Sequence, residues 1–173
     1  MNFEKLLNLF ANPFYQFYER TMIMVDVKTK TVKPLYVADF FKMIDEAKTK
    51  AERKALLELH CKHRPFDMLL YLNFNPNIQL DIPEGPPPFK RDTQTHPDLM
   101  SPLVTQISYL KACVVSNKNL AKMKKEKIFM DVCEAVPPCD ADILIACKDR
   151  QLETLYPNIT RELVGKSFPN YVG

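Results

Sequence analysis

The sequence predicts a mainly α-helical protein, a bundle of about seven short helices in two lobes joined by a proline-rich arm. Apolar residues recur at helical spacing through most of the chain. Only three glycines are present among 173 residues, which disfavours a fold built on tight β-hairpins. Fourteen prolines divide the chain into short segments. A composition of 46% hydrophobic and 26% charged residues is typical of globular proteins.

The proline arm, residues 80–100, separates two predicted helical lobes, residues 37–79 and residues 101–173. We treat residues 1–36, ahead of the first lobe, as an N-terminal extension. We expect the two lobes to pack on each other as one domain, since the length is that of a single domain of ordinary size.

The N-terminal extension combines an apolar helical stripe with a cluster of aromatic residues. Apolar side chains from Phe3 to Phe14 recur at helical spacing and predict a helix. Residues 21–27 and 31–37 are rich in β-branched and apolar residues, which makes a small hairpin near residues 21–36 possible. The aromatic side chains either pack in the core or anchor a partner protein. The residues assigned to the second alternative, together with one from the proline arm, are Phe10, Phe14, Tyr15, Phe17, Tyr18 and Phe89.

Three helices are predicted in the first lobe. The first follows Val37 to Ala47, the second begins after Thr49 with Glu52 completing a capping box, and the third begins at Pro65. The second helix is predicted to bury Ala55, Leu56 and Leu59.

Three consecutive prolines define the proline arm. Pro86, Pro87 and Pro88 donate no backbone N–H and disfavour helix before them, so the segment is predicted to be extended, with a turn at Glu84-Gly85.

The second lobe is predicted to hold four helices. Ser101 and Pro102 begin the first, and the longest runs from Asn117 to about Val136 with an apolar seam through Phe129 and Val132. In the third, acidic residues occupy the first turn and Lys148 and Arg150 the last, around a fully apolar middle. The fourth runs from about Thr160 to Phe168, and Pro169 ends it.

Cysteine and histidine patterns do not identify a catalytic or metal site. His60, Cys61 and His63 cluster at a helix end, but the gaps between Cys133, Cys139 and Cys147 differ from those of zinc modules. We interpret the histidines as cations at a helix C-terminus. The five cysteines are expected to be free thiols, and we expect no cofactor, no metal and no enzymatic activity.

Lysines concentrate in one segment of the second lobe. Lys118, Lys122 and Lys125 stand at i, i+4 and i+7, which predicts a positive helical stripe opposite the apolar seam. It is either a solvated helix face or a contact for nucleic-acid phosphates.

Four sequence blocks follow a known pattern in order and spacing. They are a charged block at residues 47–54, LDIPEGPPPFK at residues 80–90, which is similar to LPEGxPPYK, residues 125–135, which are similar to RRExLFIQxLEAL, and residues 141–169, which are similar to AELLLAVKDKKL and YPGLT. Through these blocks, residues 37–169 resemble an uncharacterised family of small proteins from T-even-like tailed bacteriophages, and residues 1–36 have no counterpart there. The resemblance implies a phage origin and a similar fold, and it transfers no catalytic residue.

Together these observations predict a non-enzymatic phage accessory protein. It would bind an unidentified phage or host protein in the host cell cytoplasm, with partner specificity in the N-terminal extension. A nucleic-acid-binding factor in phage transcription or replication and a virion component are the alternatives. No apolar run reaches the length of a membrane span, so we expect no membrane partner, and a homo-oligomer stays open.

Overall fold

The computed structural model describes residues 23–26, 31–34, 36–92, 95–96 and 99–172. Within them lie two strands, nine α-helices and one 3₁₀ helix, and the predicted mainly helical fold is confirmed. The elements in chain order are β1 Ile23–Asp26, β2 Thr31–Pro34, α1 Val37–Glu46, α2 Lys50–His60, α3 Arg64–Phe74, α4 Leu103–Gln106, a 3₁₀ helix Ile107–Cys113, α5 Lys122–Ala135, α6 Pro138–Lys148, α7 Leu152–Leu155, α8 Arg161–Ser167 and α9 Pro169–Val172.

The chain divides into two units, residues 1–35 and residues 36–173. In the first unit, β1 and β2 pair antiparallel with Ile23 opposite Pro34 and Asp26 opposite Thr31. This pair lies within the segment for which a hairpin was predicted. The aromatic residues Phe10, Phe14, Tyr15, Phe17 and Tyr18 lie outside the described residues, so the prediction that they bind a partner stays a prediction.

Buried side chains from both sides of the proline arm form the core of the second unit. The apolar middle of α6 is buried as predicted, and α6 packs against α1, α3, α5 and α7. The predicted seam of α5 is also buried. The largest fully buried apolar side chains include Phe41, Ile44, Leu57, Phe66, Leu69, Leu70, Leu103, Ile107, Phe129, Ile143 and Leu144.

The start of α2 confirms the predicted cap, but its buried face differs from the prediction. The Thr49 hydroxyl accepts a hydrogen bond from the Glu52 amide at 3.1 Å. The Glu52 carboxylate accepts one from the Lys48 amide instead of the Thr49 amide, so the predicted capping box is formed in part only. Leu57 is fully buried, whereas Leu59 is 52% exposed. The predictions that Ala55 and Leu59 are buried were therefore wrong, because α2 packs through the face that carries Leu57.

Two predicted helix boundaries in the second lobe were also wrong. The helix after Pro102 becomes a 3₁₀ helix at Ile107, and the long helix begins at Lys122 instead of Asn117. The helix predicted from about Thr160 to Phe168 is present as α8 and ends before Pro169, but it is not the last one: Pro169 begins α9, because proline fits the first turn of a helix, where its missing N–H is not needed.

Candidate functional site: the proline arm and the cationic surfaces

The proline arm begins at a short antiparallel contact with the end of the 3₁₀ helix. Leu80 forms a β-bridge with Val114, and the Asp81 amide donates to the Cys113 carbonyl at 2.7 Å. Because this segment pairs through its backbone, the entry of the arm is fixed against the second lobe.

A nearly buried ion pair at the end of α6 holds the turn of the arm. Lys148 and Asp149 pair with each other, and their side chains are only 2% and 9% exposed. The Lys148 ammonium donates to the Pro83 carbonyl at 2.7 Å, and the Asp149 carboxylate accepts from the Gly85 amide at 3.1 Å. Gly85 has a φ of 83°, a left-handed conformation that favours glycine.

Two further contacts hold the end of the arm. The Lys90 amide donates to Glu134 of α5 at 3.0 Å, and the Arg91 guanidinium pairs with Asp142 of α6 through both of its Nη atoms. The guanidinium carbon of Arg91 also lies 5.5 Å from the centre of the Phe89 ring. We call the contacts made by Lys148, Asp149, Glu134 and Asp142 the arm clamp.

Between its fixed ends the proline arm presents its rings to solvent. Pro86 and Pro88 are exposed, and Pro87 and Phe89 are half-buried. The Phe89 amide donates to the Pro87 carbonyl at 2.9 Å, which tightens the chain around Pro88. Phe89, the one predicted partner-binding residue that the structure describes, is therefore accessible on a fixed backbone.

Lys125 does not belong to a solvated stripe. Its side chain is 2% exposed, and its ammonium lies 2.9 Å from Asp81 and 3.2 Å from the Val114 carbonyl. Lys118 precedes α5 and is not part of that helix. The predicted helical stripe is thus contradicted, because Lys125 continues the buried face of α5 and ties it to the arm.

The exposed lysines gather instead at the N-terminal end of α5. Lys118 in the preceding turn and Lys122 and Lys124 in the first turn are all exposed, and we call these three residues the lysine corner. The first turn of α5 has no acidic residue and no side-chain cap. Since a helix N-terminus favours negative charge, this arrangement weakens the helix locally. Met123, within the same turn, is 81% exposed.

His60 is buried, which disfavours its charged form and contradicts the interpretation of the histidines as helix-end cations. It is 7% exposed, and neither ring nitrogen has a hydrogen-bond partner within the described residues. Its ring centre lies 4.5 Å from that of Phe40, and the Phe40 ring also stacks on His63 at 4.9 Å. Burial, and then the charge of His63, lower the pKa of His60.

The cysteines are poorly suited to nucleophilic chemistry. Burial raises the pKa of the Cys61 thiol well above its usual range and that of Cys113 to about 11, which disfavours the reactive thiolate. In the described parts of the chain, no group of three or more His, Cys, Asp or Glu side chains is placed to hold a metal ion.

Two buried carboxyl groups were not anticipated from the sequence. Asp67 is 5% exposed and accepts a hydrogen bond from the Tyr171 hydroxyl, and burial raises its pKa to about 6. Asp140 is 2% exposed and accepts from the Ala38 amide at 3.0 Å, and burial raises its pKa to about 6 as well. Asp140 therefore caps α1 from the first turn of α6.

A further surface is the cationic groove between α2 and α8, with a volume of about 370 Å³. Its basic lining residues are Lys50, Arg53, Lys54 and Lys166. This groove was not predicted from the sequence. The spacing of Lys50, Arg53 and Lys54 at i, i+3 and i+4 shows that they share one helix face, but the sequence does not show that α8 lies beside them.

Comparison with known proteins identifies a family and no activity. The sequence model of a family of unknown function, DUF6433, matches residues 40–154, which include the proline arm, the arm clamp and the lysine corner. No curated protein and no solved structure matches the chain. Across the described residues, none of the helices combines the length and apolar character needed to cross a membrane.

Proposed function

Because the chain belongs to DUF6433, a family of unknown function, we propose its role from its surface: a non-enzymatic accessory protein of a tailed bacteriophage that binds another protein. The four sequence blocks that resemble proteins of T-even-like phages support the phage origin. That origin in turn supports action in the cytoplasm of the infected host cell. The observation that carries protein binding is the fixed and accessible proline arm.

The arm clamp lowers the entropic cost of binding. Four side chains from α5, α6 and the residue after α6 hold the arm, three through the backbone of Pro83, Gly85 and Lys90 and one through the side chain of Arg91. A partner that docks on residues between these points does not need to order them first, and preorganisation of this kind increases affinity. Protein modules with aromatic grooves recognise extended proline segments for the same reason.

Phe89 and Pro88 supply the apolar contact surface of this proposed interface. Aromatic side chains bury a large area at low entropic cost and are frequent at the centres of interfaces. The Arg91 guanidinium, which pairs with Asp142, lies beside the Phe89 ring and limits the positions that this ring can take. We therefore place the partner surface on residues 86–91 of the arm.

Replacing Pro88 and Phe89 together with alanine should abolish partner capture from infected cells. Neither residue is fully buried, so we expect the free energy of unfolding to change by less than about 1 kcal/mol. The measurement is affinity capture with tagged full-length protein, followed by identification of the proteins retained by the wild type. Tyr109→Ala is the matched control, because Tyr109 is 58% exposed and lies outside the arm, in the 3₁₀ helix.

Retention of the same partners by the double variant would contradict the arm as the interface. The aromatic residues of the N-terminal extension, from Phe10 to Tyr18, would then be the next surface to test. Equal loss in the double variant and in Tyr109→Ala would also count against the arm, since the effect would not be specific to it.

Nucleic-acid binding is the second candidate, and the lysine corner is the observation that favours it. Three exposed lysines lie where the helix dipole disfavours positive charge, and a local cost of this kind is expected at functional surfaces. Phosphate groups carry the complementary charge. Lys125 is excluded from this surface because it is buried.

If this second function is correct, affinity for nucleic acid should fall steeply with salt and depend on the lysine corner. Changing Lys118, Lys122 and Lys124 to glutamine should reduce the slope of log affinity against log salt by about 3, one for each phosphate contact. A control with the same change in net charge replaces Lys42, Lys62 and Lys127, which are exposed elsewhere. If the wild type binds neither duplex nor single strands at about 50 mM salt, this candidate is eliminated.

A further inference from the structure

We propose that the cationic groove binds a small ligand that carries a diphosphate group. The groove lies between the N-terminal half of α2 and the segment that leads into α8, within the unit of residues 36–173. Its volume of about 370 Å³ falls at the lower end of the range of small-molecule sites, roughly 300–1,000 Å³. The groove is separate in sequence from both the proline arm and the lysine corner.

The charge of the lining carries the proposal. Four basic side chains and one carboxylate, Glu162, give the described lining residues a formal charge of +3. Lys54 also pairs with Glu58, outside the lining, at 3.7 Å, and both side chains of this pair are half exposed. Lys166 donates to Glu162, and this hydrogen bond, the charge of Lys166 and the charge of Lys50 lower the pKa of the Glu162 carboxyl. The charge of Lys50 on α2 therefore stabilises the Glu162 carboxylate on α8, and both helices contribute to the positive potential of the groove.

Fixed donors accompany these charges. The Nε of Arg53 donates to the Ala47 carbonyl at 3.0 Å, which orients the guanidinium so that its Nη groups carry the remaining donors. The Thr160 hydroxyl accepts from the Leu163 amide at 3.3 Å and retains its own proton for an acceptor. The Asn158 amide group is held by the Asp45 carbonyl at 3.0 Å. Arginine and lysine side chains with a hydroxyl group are typical donors for phosphate oxygens.

A diphosphate matches this lining better than a single phosphate does. One phosphate monoester carries a charge of about −1.5 to −2 near neutral pH, so it leaves part of the +3 lining unneutralised. Two linked phosphates neutralise the whole lining. Ala51, Pro157 and Leu163 add apolar surface on which the organic part of a nucleotide can rest.

Calorimetric titration of the full chain at low salt tests this proposal. Inorganic pyrophosphate and a nucleoside diphosphate are expected to bind, and inorganic phosphate and sulfate are expected to bind at least about fivefold more weakly. Lys50→Gln and Lys166→Gln should each weaken pyrophosphate binding about fivefold, the effect of one unit charge a few ångströms away in water. Glu162→Gln should strengthen it by a similar factor, which a purely structural role would not produce.

Lys42→Gln is the matched control for Lys166→Gln. Lys42 pairs with Glu46 at i, i+4 on α1, just as Lys166 pairs with Glu162, but it does not line the groove. Tighter binding of the nucleoside diphosphate than of pyrophosphate would assign the site to a nucleotide, and equal affinity would assign it to the diphosphate alone. The proposal is overturned if the wild type binds neither probe, if sulfate binds as tightly as pyrophosphate, or if Lys42→Gln weakens binding as much as Lys50→Gln. Tighter binding of a single-stranded oligonucleotide in the same groove would also overturn it.

Discussion

Lys125→Ala should lower the free energy of unfolding by about 3 kcal/mol, the lower end of the cost of breaking a buried ion pair. The change removes a side chain that is 2% exposed and leaves the Asp81 carboxylate without this donor, whereas the Val114 carbonyl keeps the hydrogen bond from the Asn117 amide at 3.0 Å. The Asp81 side chain is 35% exposed, so water can partly solvate its carboxylate in the variant. This is why we expect the lower end of the range.

Urea unfolding monitored by circular dichroism provides the measurement. Lys124→Ala is the matched control, since it removes the neighbouring lysine from an exposed position of the same helix and should change stability by less than about 0.5 kcal/mol. Lys125→Met should fall between the two, because methionine fills the space without supplying the charge. Similar stabilities for Lys125→Ala and Lys124→Ala would show that the buried pair does not stabilise the fold.

The same residue shows where helical spacing alone is ambiguous. Lys125 stands at i+7 from Lys118, but it also stands four residues before Phe129 and seven before Val132, which are buried. Position 125 therefore fits both the lysine stripe and the apolar seam. Because lysine is hydrophilic, its hydropathy alone predicts that the side chain is exposed to solvent. Burial of its ammonium becomes favourable because of the Asp81 carboxylate, 44 residues away in sequence, and the Val114 carbonyl.

Local chemistry could be predicted well from the sequence. The Thr49 cap, the apolar middle of α6 and the turn at Gly85 each depend on residues within a few positions of one another. The predicted positions of the helix ends were less accurate. The start of α5 at Lys122 has no side-chain cap, and three lysines in and next to its first turn oppose the dipole, so the usual N-terminal signals are absent there.

The candidate sites depend on contacts that local patterns do not contain. Gly85 meets Asp149 across 64 residues, and Ala38 meets Asp140 across 102. The cationic groove likewise needs α2 and α8 side by side, more than a hundred residues apart in sequence. Composition shows how many charges the chain has, but the tertiary fold decides which of them share a surface.

Asp67→Asn should stabilise the protein at pH 7 by on the order of 2 kcal/mol, and this gain should disappear on acidification. Burial raises the pKa of Asp67 to about 6 from an ordinary value of 3.8. Each pKa unit corresponds to about 1.4 kcal/mol of difference between the two protonation states. Asparagine resembles the protonated carboxyl group in shape and charge, and it can still accept the hydrogen bond from Tyr171.

The direction of this pH dependence of stability follows from proton linkage. Because the native pKa is raised, the folded protein holds this proton more tightly than the unfolded chain does. The stability that Asp67 contributes is fully present below pH 3.8 and is lost as the pH rises through about 6. The difference between wild type and Asp67→Asn should therefore be large at pH 7 and small near pH 4.

Comparing the stabilities of wild type and Asp67→Asn separates the effect of Asp67 from the effects of the other titrating groups. The lowered pKa of His60 gives stability that is present above pH 6.5 and is lost as the pH falls, and Asp140 acts in the same direction as Asp67. Both contributions are shared by wild type and variant, so they cancel in the difference. Asp131→Asn is the control, because its side chain is 55% exposed and should alter stability by less than about 0.5 kcal/mol at either pH. A destabilised Asp67→Asn at pH 7, or a difference that does not shrink toward pH 4, would mean that the Asp67 carboxylate is stabilised in the native fold rather than strained by its burial.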